Sequence, residues 1–154
     1  MINKLIINRY REDEFPEDLS PLINLEELKL DLDYKGIPEQ IYKLKTLKYL
    51  DINAREINYI PNEIFTRESL VSLMVRPPVL ELPSTILIMK KLKHLDVNCS
   101  NLQNVSKEFL EIENLEKLIL RSTKNMISRK FDHMLDLNYE RPSDKKINIS
   151  FYST

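Results

Sequence analysis

The sequence predicts an α/β solenoid, a single domain spanning residues 1–154 in which short units stack and share one parallel sheet. Three observations predict it. An apolar-x-x-apolar-x-apolar motif recurs six times at an even spacing. A proline-centred motif runs in phase with it. The last stretch, 121–152, breaks the period and reads as a helix followed by one more strand.

The first motif occurs as INKLII, LEELKL, LKYLDI, LVSLMV, LKHLDV and LEKLIL, starting at Ile2, Leu25, Leu47, Leu70, Leu92 and Leu115. Successive starts lie 23, 22, 23, 22 and 23 residues apart. The alternation at the end of each motif suits a short strand with one face inward. A unit this short cannot bury its own apolar face, so neighbouring units must stack. Their strands then lie parallel, about 4.8 Å apart.

The second motif reads FPEDL at 15–19, IPEQI at 37–41, IPNEI at 60–64, LPSTI at 82–86 and VSKEF at 105–109. Proline presets φ and lacks an N–H, so it fits a turn into an irregular or 3-10 segment. Apolar residues such as Ile41, Leu44 and Leu47 carry each segment to the next strand. Arg67 stands where that series calls for an apolar side chain.

After Leu120 the pattern changes. Met126, Ile127, Phe131, Met134 and Leu135 have helical spacing, which predicts a helix over 126–138. RPSD at 141–144 is a turn, and KINISFY at 146–152 alternates like a last strand. Ile147 and Ile149 are expected to continue the rows of Leu118 and Leu120.

In its two motifs the chain resembles the leucine-rich repeat family, in particular the short class with LPxxIxxLxxLxxLxL. The resemblance covers residues 2 to about 120. It implies a right-handed solenoid, a short horseshoe with its parallel sheet on the concave side, irregular or 3-10 convex segments and a C-terminal helix–strand cap. It also implies protein binding through the concave sheet. The chain departs from the family where stacked Asn side chains are usual. Tyr10, Asp33, Arg55, Pro78, Ser100 and Thr123 stand there instead.

Composition narrows the function. The 154 residues are 42% apolar and 31% charged, with a net charge of −1. That balance disfavours a nucleic-acid binder, which needs a basic face. Charge is uneven, with four Lys/Arg against nine Asp/Glu in residues 1–33, and the segment 11–18 is the sharpest acidic cluster. No apolar run is long enough for a membrane span, and MINKLIINRY is too weakly apolar for a signal-peptide core. The lone Cys99 permits no internal disulfide. A reducing, cytoplasmic setting is expected. The first strand leaves an edge that Lys4, Arg9 and Arg11 would protect, so a monomer is expected and edge pairing is the alternative.

The residues between the inward leucines point outward. A first column includes Tyr49 and His94; a second, Asp51, Met74, Asp96 and Ile119; a third, Asn53, Arg76, Asn98 and Arg121. His94 and Asp96 invite a catalytic reading. They lie about 7 Å apart along one strand, too far for a base and its orienting acid. Two histidines cannot close a metal site with the ligands at hand. Gly36 is the only glycine, so no loop can cradle phosphate. No catalytic group, metal or cofactor is expected. Aromatic, Met and Arg side chains beside ordered charge pairs are the chemistry of an interface. The ten named residues are therefore expected to contact a protein partner. Two other readings are a dedicated inhibitor of one enzyme, of immunity-protein type, and a structural scaffold.

Overall fold

The computed structural model describes residues 2–10, 15–33, 36–54, 56–57, 60–78, 83–98, 108–122 and 132–153. Its seven strands are β1 (Lys4–Tyr10), β2 (Glu27–Leu32), β3 (Tyr49–Ala54), β4 (Ser72–Pro78), β5 (His94–Asn98), β6 (Lys117–Ser122) and β7 (Asn148–Ser153). They form one sheet in chain order, every neighbouring pair parallel. The chain is thus α/β with few helices, an architecture compatible with a solenoid.

Two apolar rows cross the inner side of the sheet. Leu5, Leu28, Leu50, Leu73, Leu95, Leu118 and Ile149 are successive register partners, as are Ile7, Leu30, Ile52, Val75, Val97, Leu120 and Phe151. Most of both rows is buried. Truncating one of these leucines to Ala removes methyl groups from a packed interior, at a cost of about 2–5 kcal/mol.

The register is fixed at the start of each strand. The Glu26 carbonyl accepts from the N–H groups of both Lys48 and Tyr49. The Lys48, Val71 and Lys93 carbonyls do the same for the pairs Val71/Ser72, Lys93/His94 and Glu116/Lys117. Each strand is therefore pinned to its predecessor at one point, and the outward columns follow from that.

Prolines start the intervening turns. Pro38, Pro61 and Pro83 precede 3-10 segments at Glu39–Lys43, Asn62–Thr66 and Ser84–Ile88. Each proline carbonyl accepts from the N–H of Ile41, Ile64 or Ile86, and those three side chains are buried. The aligned segment in the next unit includes a four-residue helix, α1 (Glu108–Glu111). The Arg67 exception is accommodated by hydrogen bonding. Its half-buried guanidinium donates to the Tyr42 and Leu44 carbonyls, and desolvation lowers its pKa. The head satisfies two backbone acceptors, and a long aliphatic stem of this kind can cover apolar surface.

The end of the sheet corrects one sequence expectation. Leu118 pairs with Ile149 and Leu120 with Phe151, so β7 lies two residues away from the expected register. A shift of two preserves which side chains face inward, so alternation alone cannot choose between the registers. A clasp makes the choice. The helix α2 (Asp132–Glu140) carries Asn138, whose side chain accepts from the Ile147 N–H and donates to the Ile147 carbonyl. Ile147 is buried but held by α2, and pairing with β6 starts at Asn148. The helix expected over 126–138 is described from Asp132 to Glu140; the part over 126–131 lies outside the described residues.

The edge strand β1 ends in a bulge between Asn8 and Tyr10, with Arg9 at φ 52°. A left-handed residue on an edge interrupts the ladder that another chain could extend. Among the described residues no helix is long and apolar enough to cross a membrane.

Candidate functional site

The outward face of the sheet carries all ten residues that the sequence singles out. Of its side chains, only Asp96 is fully buried; the others keep partial or full solvent exposure. The columns run as expected through β6. At β7 the two-residue shift sets Asn148, Ser150 and Tyr152 beside Lys117, Ile119 and Arg121.

Two Asp–Arg diagonals organise the face. Asp96 and Arg121 form a bidentate pair, with Nε and the second guanidinium nitrogen each 2.7 Å from a carboxylate oxygen. The guanidinium also lies 5.2 Å from the Tyr152 ring centroid. The hydrogen bonds to Asp96 raise the Arg121 pKa, so the cation is held more firmly than usual. Asp96 spends both oxygens on Arg121 rather than on His94, which is exposed.

The second diagonal, Asp51 and Arg76, repeats the first two units earlier but stays open. Arg76 Nε is 3.9 Å from Asp51 Oδ1. Both atoms are buried, and neither finds a hydrogen-bond partner among the described residues. Burial pushes the Asp51 carboxyl above its ordinary pKa, against the pull of Arg76 and Lys29.

Asn53 and Asn98 of the third column are tied into the sheet. Asn53 donates to Asp31 Oδ1 at 3.1 Å, and Asn98 donates to the Arg76 carbonyl at 2.9 Å. Those bonds cross between neighbouring strands. Thr46 and Asn114 add two more, to the Leu25 and Lys90 carbonyls.

Between the diagonals the surface is hollow. Ser72 is the small residue of the first column, standing between Tyr49 and His94. A depression of about 280 Å³ opens over β4, β5 and β6, with half-buried Met74 and Ile119 in it and His94 and Lys117 at its rim. A smaller one of about 120 Å³ lies over β2, β3 and β4 and shares Ser72 and Met74. Ser72 and Lys117 sit outside the ten expected residues. What the sequence offered was size and charge: a lone Ser and an unmatched Lys in the first column.

The face is also polarised. Glu27, Asp31 and Asp51 outnumber Lys4 and Lys29 on β1–β3, whereas Arg76, Lys117 and Arg121 outnumber Asp96 on β4–β7. Among the described residues no three His, Cys, Asp or Glu side chains are grouped to hold a metal ion. Cys99 and residues 11–14 of the acidic segment lie outside the described residues. No family model matches the chain, and no curated protein matches it.

Proposed function

We propose that this chain is a non-catalytic, cytoplasmic protein-interaction module of leucine-rich repeat type, a monomer whose partner docks on the outward, concave face of the sheet. The even 22–23-residue period and the in-phase prolines support the repeat type. The observation that carries the function is the Met74 surface. Half-buried Met74 and Ile119 line its hollows, exposed Tyr49 stands at one side, and an ordered Asp96–Arg121 pair frames it. Rigid charge beside apolar hollows suits oriented protein binding. Fold resemblance adds only an associational argument.

The test is a quantitative capture from lysate of the source cell, read by mass spectrometry. Wild type is compared with a Tyr49→Glu/Met74→Glu variant and with Ile23→Glu, a control at an exposed site off this face. Captured proteins should be lost by the double variant and kept by the control. Retention by the double variant, with its fold verified by circular dichroism, defeats it.

A further inference from the structure

The geometry points to a partner of defined chemistry: a linear segment that seats a large apolar side chain over Ser72, against Met74 and Ile119, and sets a carboxylate of an adjacent Asp or Glu on Lys117 and His94. This rests on the outward-face reading above and adds the partner's chemistry to it.

The hollow sets the first requirement. Ser72 leaves room between its neighbours Tyr49 and His94, and the half-buried Met74 and Ile119 line the depression. An apolar side chain entering it removes apolar surface on both partners from water, and the polarizable Met thioether adapts to its shape.

The rim sets the second. Among the described residues that line this depression the only carboxylate is Asp96, and both its oxygens are engaged by Arg121. Its charge is therefore matched internally. Lys117 is exposed and enters no ion pair among the described residues, unlike Lys4, Lys48 and Lys93. His94 is its register partner on the neighbouring strand, so the two side chains share one rim. Glu116, beside Lys117 in sequence, is held by Lys93 at 2.7 Å. The unmatched charge at this rim is positive, and it belongs to the half of the face that carries the excess of cations. An anion beside an apolar anchor is the complement.

A phage-displayed library of random linear peptides, panned on the purified protein, tests this. Enriched sequences should hold a large apolar residue within a few positions of Asp or Glu. Their affinity should fall about tenfold on Lys117→Glu, a change at an exposed side chain. Ser72→Phe should abolish binding by filling the hollow, and His94→Ala should weaken it. Panning on the Lys117→Glu protein should exchange the acidic position for Lys or Arg. If binding is lost on Ser72→Phe but kept on Lys117→Glu, the acidic-partner inference fails and the outward-face reading stands. Peptides indifferent to both substitutions defeat both. An absence of enrichment overturns the linear-segment inference. Self-association in sedimentation experiments, abolished by Lys117→Glu, would also overturn it by assigning the face to a second copy.

Discussion

Arg121→Met should destabilise the protein more than Asp96→Ala, and the excess should depend on pH. The side chain of Asp96 is 5% exposed and that of Arg121 23% exposed. Removing the carboxylate leaves a cation that still reaches water and the Tyr152 ring. The bidentate pair is then lost as one unit while the cation regains solvent, a net cost of about 1.5–3 kcal/mol. Removing the guanidinium strands a carboxylate with almost no access to solvent. Breaking such a pair from that side costs about 3–5 kcal/mol. The stranded group can escape only by taking a proton. A carboxyl group ordinarily loses its proton near pH 3.9, so keeping one costs about 4 kcal/mol at pH 7 and about 1.5 kcal/mol at pH 5. That cost caps the penalty. A folded state that binds the extra proton loses stability as pH rises, so the Arg121→Met deficit should shrink on acidification. Urea unfolding followed by far-UV circular dichroism at pH 7 and pH 5 measures both effects. An Arg121→Met penalty no larger than that of Asp96→Ala, or one independent of pH, refutes the reasoning. At the open diagonal, Asp51→Ala and Arg76→Ala should each cost less than about 1 kcal/mol, because no hydrogen bond is lost.

Asn138→Leu should cost about 2–3 kcal/mol by removing two hydrogen bonds to the Ile147 backbone, and hydrogen exchange should show β7 losing protection ahead of β6. Arg67→Ala should cost about 1–3 kcal/mol, since two carbonyls lose their donor and the apolar slot empties, whereas Arg67→Leu refills the slot and should recover part of the loss in thermal melts. Asp51→Asn should be neutral or stabilising near pH 7. The raised pKa of Asp51 means that this carboxyl's contribution to stability is lost as pH rises above about 4, and the substitution should remove that loss while changing little at pH 3. Matching pH–stability profiles for the two proteins would contradict the burial of this carboxylate.

What the sequence made legible follows from local rules. Ile41, Ile64 and Ile86 could be placed inward because each stands three residues after a proline whose carbonyl takes its N–H. The outward columns could be written through β6 because one shared carbonyl pins each strand to the last. Arg67 stood out as an exception, but its solution did not, because the carbonyls it caps belong to the preceding unit. The register of β7 was not legible. Ile147 and Ile149 both alternate correctly, and a side chain on α2 decides between them. That two-residue shift hid Tyr152 as the neighbour of Arg121. The burial of Asp96 was hidden for a related reason. A charged residue on a solvated sheet reads as exposed, and only a bidentate Arg on the next strand, with Met74 and Ile119 as its register partners, removes it from water.

The difference between the two diagonals has a cause in the backbone. Pairing of β5 with β6 continues to Asn98 and Arg121, which holds Arg121 at the distance needed to close on Asp96. Pairing of β3 with β4 stops at Ile52 and Val75. Arg76 comes next and is followed by Pro77 and Pro78, which can donate no ladder hydrogen bond. Its guanidinium is left 3.9 Å from Asp51, and the side chain keeps 38% of its exposure. The repeat has thus made the same charge pair twice and locked only one. The locked pair orders one end of the Met74 surface. The open pair leaves Asp51 Oδ1 and Arg76 Nε without a hydrogen-bond partner among the described residues. A partner that desolvates this corner and draws Arg76 onto Asp51 gains an interaction absent from the unbound state, and only such differences contribute to affinity.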